Sequence, residues 1–309
     1  MSASTQPLVT VLIATYNRGE AIRYTLESLI GQDFDDFEAW IIGDACSDNT
    51  GAVVSSFDDT RLNWHNMEFN SGSQGSPNNE GIRRARGKYI AYLGHDDLWF
   101  PWHLSSLVEC IDSTHSDVVY GMCPMIGEDG VNLVLGRPPG GVQMSEHFIP
   151  PSTILHVQTL TADIGPWADH TKIDIAPDHE LIQRAYGAGK SVQYSEQLGV
   201  LKFTSYEWKA YAQGRAVPQE SYLEMIQNNP RALEREILLR LSTFHAEVKT
   251  QLSAREAIRE LVRALIRWVQ DIYGRDRWPL STWRLRRHRK KRAIFRQKRG
   301  LGPYNRQGD

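Results

Sequence analysis

Hydrophobic residues in the first third of the chain follow two alternating patterns. Short apolar runs rich in β-branched residues predict buried strands. Between them, apolar residues recur with helical spacing, as at Ala21, Ile22, Leu26 and Leu29. The predicted strands are Leu8–Ala14, Phe37–Ile42, Arg61–Met67 and Lys88–Leu93, and the predicted helices lie at Ala21–Ile30, Gly51–Phe57 and Pro77–Arg86. Because strands that alternate with helices pair in parallel, we expect an α/β fold with a helix-covered, mostly parallel sheet.

The pattern becomes irregular after about Gly121. Turn residues at Glu128–Gly130 predict a hairpin, and those at Pro138–Gly141 predict a loop. The other predicted elements are a helix from Pro177 to about Gly187, strand-like runs at Ser191–Tyr194 and Gly199–Phe203, and helical segments from about Glu220 to Tyr273 with a break at Pro230. The α/β part is therefore expected to carry a helical C-terminal extension.

Polar residues gather where the predicted strands end. Thr15, Tyr16 and Asn17 follow the first strand, Asp44 follows the second, and His95–Asp97 follow the fourth. Ligands of α/β sheets bind at this carboxyl edge, and a nucleotide with its metal ion requires acids and hydrogen-bonding groups there. The chain has neither GxGxxG after the first strand nor GxxxxGK[ST]. A dinucleotide fingerprint and a P-loop are therefore not supported.

The pair Asp96 and Asp97 allows two interpretations. Adjacent acids at the end of a buried strand cost much desolvation, which favours a cleft where they hold a cation or a polar ligand. Alternatively, Asp97 caps a helix ahead of Pro101 and Asp96 is solvated. The series of polar clusters at successive strand ends favours the cation site.

Composition indicates a globular, soluble protein. The chain has 309 residues, of which 41% are hydrophobic, and can bury a substantial core. Its three cysteines show no CxxC spacing, so we expect reduced thiols and neither a disulfide framework nor a zinc ribbon. No apolar stretch approaches the length of a spanning helix, and the start MSASTQP lacks a leader pattern. We therefore expect a cytoplasmic location.

The net charge of −2 conceals a strongly basic C-terminal segment. From Arg275 to Asp309 there are 13 Lys and Arg against 2 acidic residues, a net charge of +11, and the rest of the chain carries −13. Aromatic and aliphatic residues such as Trp278, Trp283 and Phe295 interleave with these charges. The segment predicts docking to an anionic membrane surface or, equally, a solvated or packed helix. Nucleic-acid binding is the least favoured interpretation.

The order of motifs from about Val9 to Lys202 resembles the family 2 glycosyltransferases, which are inverting enzymes of the GT-A fold. The motifs that carry the resemblance are Ala14–Arg18, Gly43–Thr50, Asn79–Ile82, Arg86–Leu93 running into His95–Asp97, and Asp178–Leu181. Each motif alone is weak, and their joint order and spacing is specific.

The resemblance implies a domain organisation. Residues 1–120 would form a Rossmann-like half that binds the nucleotide-sugar, and residues 121–215 the acceptor-binding half of the same catalytic domain. Residues 216–274 would form the helical extension and 275–309 a basic amphipathic tail.

The resemblance also implies a donor site. Thr15, Tyr16 and Asp44 would contact the nucleotide base, since a carboxylate can accept a ring N–H and a tyrosine can stack. Asn17, Asn79, His95 and Asp96 complete the expected nucleotide-sugar contacts, and Asp96 and Asp97 would bind Mn²⁺ or Mg²⁺. Local packing of Tyr16 and a turn role of Asp44 are the plainer alternatives.

Asp178 matches the position of the family's catalytic base, at the start of a helix whose dipole favours an ionised carboxylate. The alternative is that Asp178 only caps this helix. Two departures concern donor binding: Gly94 replaces the motif's first acid, which contacts the ribose in relatives, and Asn78 replaces a frequent Arg. A cationic donor contact would then come from Arg83 or Arg84, or be absent.

We therefore expect an inverting, metal-dependent glycosyltransferase that moves a sugar from a nucleotide-diphosphate donor, UDP-linked by preference, to a hydroxyl of a glycan or lipid-linked acceptor. The setting would be polysaccharide biosynthesis at the inner face of a membrane. A nucleotidylyltransferase is the first alternative, but it predicts a Gly-rich basic loop where this chain has Thr15–Gly19. The second is a nucleotide-sugar-binding protein without activity, which Gly94 and Asn78 suggest.

Overall fold

Ten strands pair into one sheet in the computed structural model, which describes residues 6–128, 130–136, 148–203, 208 and 217–251. They are β1 (Val9–Thr15), β2 (Phe37–Gly43), β3 (Leu62–Asn66), β4 (Tyr89–Tyr92), β5 (Leu98–Trp99), β6 (Val118–Gly127), β7 (Gly130–Leu135), β8 (Ile154–Val157), β9 (Val192–Leu198) and β10 (Val200–Phe203). The order is β3-β2-β1-β4-β8-β6-β10-β5, and β7 and β9 also pair with β6. Strands β1 to β4 pair in parallel, whereas β8 runs antiparallel to β4 and β6.

The described part of the chain also contains helices. They are α1 (Gly19–Ile30), α2 (Thr50–Ser55), α3 (Gly75–Arg84), α4 (His103–Thr114), α5 (Leu160–Ile164), α6 (Pro177–Gly187), α7 (Gln219–Asn228) and α8 (Pro230–Gln251), with a short 3-10 helix at Pro151–Thr153. The predicted α/β fold is confirmed, as is the helical break at Pro230. Residues 252–273 of the predicted helical extension lie outside the described residues.

Strand β1 is buried on both sides, which explains its nearly continuous apolar run. Val11 and Ile13 belong to the same core as Leu26 of α1. Leu12 points to the opposite side, where it meets α3 at Gly81. A Cβ at position 81 would lie 2.7 Å from a methyl group of Leu12, so glycine permits this close helix–sheet contact.

The stretch after Asp97 differs from its predicted description. Trp99 and Phe100 are fully buried in the core, and the unpredicted helix α4 begins at His103. Trp102 occupies the N-cap position of α4, so Asp97 does not cap a helix there. The helix-cap interpretation of Asp97 is therefore wrong.

The hairpin predicted at Glu128–Gly130 is present as the antiparallel pair β6–β7. The loop predicted at Pro138–Gly141 lies outside the described residues.

The chain divides into two units, residues 1–234 and residues 235–309. The predicted boundaries at 120, 215 and 274 stay predictions, and the basic tail lies outside the described residues. In the part of the chain that is described, no helix combines the length and the apolar composition that crossing a membrane requires.

Candidate active site

The turn after β1 is shaped by Asn17. Its backbone has a φ of 49°, and its Oδ1 accepts the N–H groups of Ser47 at 2.8 Å and Asp48 at 3.3 Å. The Asn17 amide therefore joins the turns after β1 and β2. Tyr16 is half-buried on the same turn. Of these two predicted donor contacts, Asn17 has a clear role in shaping the turn, and Tyr16 lies on the surface that it shapes.

Asp44 is buried and bound by the loop that follows β3. Its Oδ1 accepts the Ser71 N–H at 2.7 Å, its Oδ2 accepts the Gly72 N–H at 3.0 Å, and its carbonyl accepts the Asn70 side-chain N–H at 2.8 Å. Burial raises the pKa of Asp44, and the Ser71 and Gly72 N–H groups oppose that rise. We call this arrangement the Asp44 clamp, formed by Asp44 and Asn70–Gly72. Each carboxylate oxygen keeps a second acceptor position, so a base N–H can still be bound.

Thr15 is buried beside the Asp44 clamp. Its carbonyl accepts the Asp44 N–H at 2.8 Å. Its hydroxyl has no hydrogen-bond partner among the described residues. A buried hydroxyl without a partner is costly, which suits a position that a ligand or a water completes.

Asp97 is the fully buried member of the acidic pair. Its Oδ2 accepts from the Ser152 hydroxyl and from Lys202 Nζ at 2.9 Å, and its Oδ1 accepts the Phe203 N–H at 3.2 Å. Its carbonyl accepts the Thr25 hydroxyl at 3.0 Å. Asp97 therefore links the turn at 94–97 to α1, to the 3-10 helix and to β10.

Gly94 stands against this network. Its N–H donates to Ser152 Oγ at 2.9 Å. A Cβ at position 94 would lie 2.6 Å from Asp97 Oδ2 and 3.2 Å from Ser152 Oγ. The absence of the motif's first acid therefore has a local steric reason.

His95 and Asp96 lie between Gly94 and Asp97 in the 94–97 turn. His95 Nδ1 is 3.0 Å from the Ala14 carbonyl, which can only accept, so Nδ1 carries the proton. Burial lowers the pKa of His95, with the Asp96 charge opposing and the Arg18 charge adding to the shift. His95 is therefore neutral at pH 7. The Asp96 carbonyl accepts the Gln219 side-chain N–H at 2.9 Å, and the Asp96 side chain is 9% exposed.

Asp178 is the second residue of α6. The helix begins at Pro177 with Ala176 at the N-cap position, so the N-cap interpretation of Asp178 is wrong. The carboxylate is 7% exposed, and its Oδ1 accepts the His179 N–H at 2.9 Å. Burial raises the pKa of Asp178, while that N–H and the charge of Lys202 oppose the rise.

Lys202 is the cation of this edge of the sheet. Burial disfavours its charge, but the carboxylates of Asp97 and Asp96 outweigh burial and raise its pKa. It remains charged, and it acts electrostatically on Asp178 as well. Lys202 thereby connects the predicted metal-binding turn with the predicted base.

Asn79 has a different set of contacts from the predicted ones. Its side-chain amide accepts the Trp167 N–H at 2.9 Å and donates to the Trp167 carbonyl at 3.0 Å. The Trp167 indole donates to the Tyr92 hydroxyl at 3.0 Å, and Tyr92 lies 2.8 Å from His156 Nε2. Asn79 thus anchors the segment around Trp167, and its donor contact stays a prediction.

The cationic alternatives near Asn79 are also engaged. Arg84 binds Glu80 at 2.8 Å and Arg83 binds the same carboxylate. Asn78 is buried in α3. These pairs give neither arginine a contact with the polar strand ends.

A divalent ion at this edge of the sheet would need oxygen ligands from the protein. Within the described residues, no group of three His, Cys, Asp or Glu side chains is placed to hold a metal. Mg²⁺ at nucleotide sites is bound by one or two carboxylates together with substrate phosphates, so one well-placed acid is sufficient. Asp96 fits this requirement as a hard oxygen donor. Metal ligation by Asp97 stays a prediction, and the three hydrogen bonds to its carboxylate count against it.

Sequence reasoning missed Ser152 and Lys202. Both reach Asp97 from distant parts of the chain, through the 3-10 helix and through β10. A lysine inside the apolar run Val200–Phe203 was the available signal, because a buried lysine requires a partner.

Comparison with known families gives this arrangement its class. The model described as Glycosyl transferase family 2 matches residues 10–162. That range contains the Asp44 clamp and the 94–97 turn, and it ends before Asp178 and Lys202. The chain belongs to glycosyltransferase family 2.

Curated relatives resemble part of the chain. The succinoglycan biosynthesis protein ExoO of Rhizobium meliloti is 31% identical over 127 residues, covering 41% of this chain and 36% of that protein. The UDP-Glc:alpha-D-GlcNAc-diphosphoundecaprenol beta-1,3-glucosyltransferase WfgD of Escherichia coli is 27% identical, covering 40% and 49%. The GalNAc(5)-diNAcBac-PP-undecaprenol beta-1,3-glucosyltransferase of Campylobacter jejuni is 31% identical, covering 40% of each. The chain spans less than half of the length of these relatives.

Solved structures share the fold. Residues 1–349 of S. aureus TarS superpose with a TM-score of 0.56 at 21% identity, covering 96% of this chain and 93% of that one. TarS has also been solved in complex with UDP-GlcNAc. The mannosyltransferase PcManGT of Pyrobaculum calidifontis, in complex with GDP-Man and Mn²⁺, gives a TM-score of 0.50 at 15% identity, covering 93% and 87%. The likeness to TarS confirms the predicted GT-A type of fold.

Proposed function

We propose that this protein is an inverting glycosyltransferase that uses a nucleotide-diphosphate sugar, a divalent ion and Asp178 as the general base. The donor would be UDP-linked and the acceptor a hydroxyl of a glycan or lipid-linked glycan. The observation that carries the proposal is the buried Asp178 carboxylate, which shares the cation Lys202 with the 94–97 turn.

Burial gives Asp178 the properties that a base needs. A carboxylate with a raised pKa binds a proton more strongly than an exposed one, so it takes the acceptor's proton more readily. The His179 N–H and the charge of Lys202 oppose the rise in pKa and so favour the ionised carboxylate. Both effects are needed, because a protonated Asp178 could not act.

The reaction follows from this placement. The acceptor oxygen attacks the anomeric carbon from the face opposite the diphosphate and forms the new glycosidic bond. The bond between the anomeric carbon and the diphosphate oxygen breaks, and the electron pair leaves with the nucleoside diphosphate. Asp178 receives the hydroxyl proton. Attack opposite the leaving group inverts the anomeric configuration.

Asp96 would hold the divalent ion, and the bound ion would neutralise the charge that develops on the leaving diphosphate. Lys202 adds a permanent positive charge to the same region. His95 is neutral and is not a source of charge there.

The donor's base is proposed to bind at the Asp44 clamp and Tyr16. Asp44 accepts N–H groups in the absence of ligand, and a uracil ring N–H is a donor of the same kind. The E. coli relative is named for UDP-Glc, and TarS has been solved with UDP-GlcNAc. Both support a UDP-linked donor.

The relatives' names also support a lipid-linked acceptor, since two of them act on undecaprenol-linked glycans. We add the proposal that the basic segment 275–309 binds anionic lipid beside such an acceptor, from the cytoplasmic side. Removing the residues after Tyr273 should then reduce sedimentation with anionic liposomes. Unchanged sedimentation would exclude the lipid contact.

Calorimetry and turnover test the main proposal. A panel of nucleotide-sugars is titrated with Mn²⁺, and we expect UDP-sugars to bind to the wild type and more weakly to Asp96→Ala. Asp178→Asn should bind the donor normally and lose about 10²- to 10⁴-fold in kcat with the best donor. Asp174→Asn, which alters an exposed acid four residues earlier, is the matched control and should keep its activity.

Three results would contradict the proposal. Equal donor affinity of the wild type and Asp96→Ala would remove the metal assignment. Full activity of Asp178→Asn would remove the base assignment. Tight donor binding without any transfer would favour a binding protein.

A further inference from the structure

The turn that carries Asp96 is fixed by a connected set of hydrogen bonds. Ser152 Oγ accepts the Gly94 N–H at 2.9 Å and donates its own proton to Asp97. Lys202 Nζ binds the same Asp97 oxygen at 2.9 Å. Within the turn, the Asp97 N–H donates to the Gly94 carbonyl at 3.0 Å. Both ends of the turn therefore depend on Ser152, which contacts each of them.

This set leaves no space for a side chain at position 94. The nearest atoms to a Cβ there would be Asp97 Oδ2 at 2.6 Å and Asp97 Cγ at 3.0 Å. Asp97 cannot move away easily, because its carboxylate makes three hydrogen bonds and it is fully buried. The hydrogen-bonded position of Asp97 therefore requires a glycine at position 94.

We propose that Ser152, Asp97 and Lys202 form a lock that positions Asp96 for the ion and diphosphate, and that this lock occupies the space that the motif's first acid would need at Gly94. The inference rests on the proposed function. Ser152 and Lys202 are positioning residues, since they act on Asp96 through Asp97 and through the turn. Fixing both ends of the turn matters because the residues that contact a metal-binding side chain or its loop set the orientation of that side chain.

The lock makes a specific prediction about restoring the acid. In a chain that had merely lost a ribose contact, Gly94→Asp should improve donor binding. In this chain the new Cβ would push against Asp97 Oδ2, so Gly94→Asp should weaken the metal-dependent part of donor binding instead.

The test compares UDP binding by calorimetry with and without Mn²⁺. Ser152→Ala and Gly94→Asp should each reduce the tightening caused by Mn²⁺ by about 10-fold, while metal-free UDP affinity stays within about twofold of the wild type. Lys202→Met should reduce this tightening as well, and it should also weaken metal-free UDP binding because it removes a positive charge near the diphosphate. A general loss of structure would lower both affinities together. Lys202→Arg, which keeps the charge, should recover part of the Mn²⁺ effect.

Gly187→Ala is the matched control for position 94, because a Cβ at Gly187 meets nothing within 4 Å. It should leave the melting temperature and both affinities near those of the wild type, whereas Gly94→Ala should lower the melting temperature.

The possible outcomes separate the two proposals. A wild type that binds no UDP, with or without Mn²⁺, overturns the proposed function and the lock's purpose with it. A wild type that binds UDP more tightly with Mn²⁺, together with Ser152→Ala and Gly94→Asp variants that match it, overturns the lock alone. Tighter Mn²⁺-dependent binding by Gly94→Asp than by the wild type also overturns the lock.

Discussion

Two buried carboxylates at the same edge of the sheet are stabilised in different ways. The Asp44 carboxylate is bound by neutral groups of Ser71 and Gly72. Asp97 has a cation, a hydroxyl and an N–H, from Lys202, Ser152 and Phe203. A ligand N–H can join or displace partners of the first kind, whereas displacing Lys202 would leave the buried Asp97 carboxylate without its cation.

The difference indicates that the Asp44 clamp is suited to binding a ligand, whereas the contacts of Asp97 stabilise the fold. In the proposed function, an N–H of the nucleotide base would join or replace the backbone N–H groups that bind Asp44 in the clamp. The contacts of Asp97 belong to three separate elements and fix the turn that presents Asp96. Asp96 and Asp97 are adjacent in one motif, yet the roles proposed for them differ.

The largest expected effect contrasts these two acids in stability. Asp97→Ala should lower the free energy of unfolding by about 3 kcal/mol, because the partly buried Lys202 loses its partner and the Ser152 hydroxyl and the Phe203 N–H are left unpaired. Asp44→Ala should cost only about 1–3 kcal/mol, since it leaves neutral N–H groups unpaired. Urea unfolding of both variants measures the two losses. Equal losses would remove the distinction.

The second prediction concerns nucleotide affinity without metal. Asp44→Asn should weaken UDP binding by about 10- to 100-fold, because a charged acceptor for the base is lost. Asp97→Asn should leave metal-free UDP binding unchanged, since Asp97 faces only protein groups in its three hydrogen bonds. Calorimetry without divalent ions measures both values. An effect of Asp97→Asn equal to that of Asp44→Asn would contradict the assignment of roles.

The third prediction concerns pH. Asp178 must be ionised to act, and burial raises its pKa, so kcat should fall with decreasing pH on a limb that lies above the ordinary carboxyl range. Below that pKa the rate should drop tenfold for each pH unit. Asp44→Asn should leave this limb of the pH–kcat profile at the same pH, because Asp44 is not the proposed base. A pH–kcat profile that is flat through the weakly acidic range would contradict Asp178 as the base.

The smallest effect is expected at the loop of the Asp44 clamp. Gly72 has a φ of 73°, which costs an alanine about 1 kcal/mol. Gly72→Ala should therefore lower stability by about that amount and weaken UDP binding only slightly, because the N–H that reaches Asp44 is retained. Thermal unfolding and calorimetry measure the two effects. A loss as large as that of Asp44→Asn would mean that the loop conformation itself controls base binding.

The sequence predicted the parts of the fold whose signals are local. The apolar runs and their polar ends identified β1 to β4. Strands β1, β2 and β4 are almost entirely buried, whereas β3 is only partly buried. It did not predict α4, whose N-cap position is Trp102 and whose first residue is the buried His103, so the usual start signals are absent. Nor did it predict β5, whose residues Leu98 and Trp99 are fully buried together with Phe100.

The candidate site shows the same limit. Thr15, Asp44 and Asp96 could be named from the sequence, because each follows its own strand. Ser152 and Lys202 could not, since they are 55 and 105 residues from Asp97 and reach it only through sheet pairing. The contact of Asn79 with Trp167 spans 88 residues and was missed for the same reason.

The hydrogen bonds around Tyr92 have one direction. His156 Nδ1 donates to the Val157 carbonyl, and burial lowers the pKa of His156 to about 4, so its Nε2 accepts the Tyr92 proton and Tyr92 accepts the Trp167 indole N–H. Reversing the direction of any of these hydrogen bonds would place two buried donor groups against each other. The Trp167 indole proton therefore exchanges with solvent only when Trp167 moves away from Tyr92 of β4. Its exchange rate measures how often the segment bearing Trp167 opens away from the sheet.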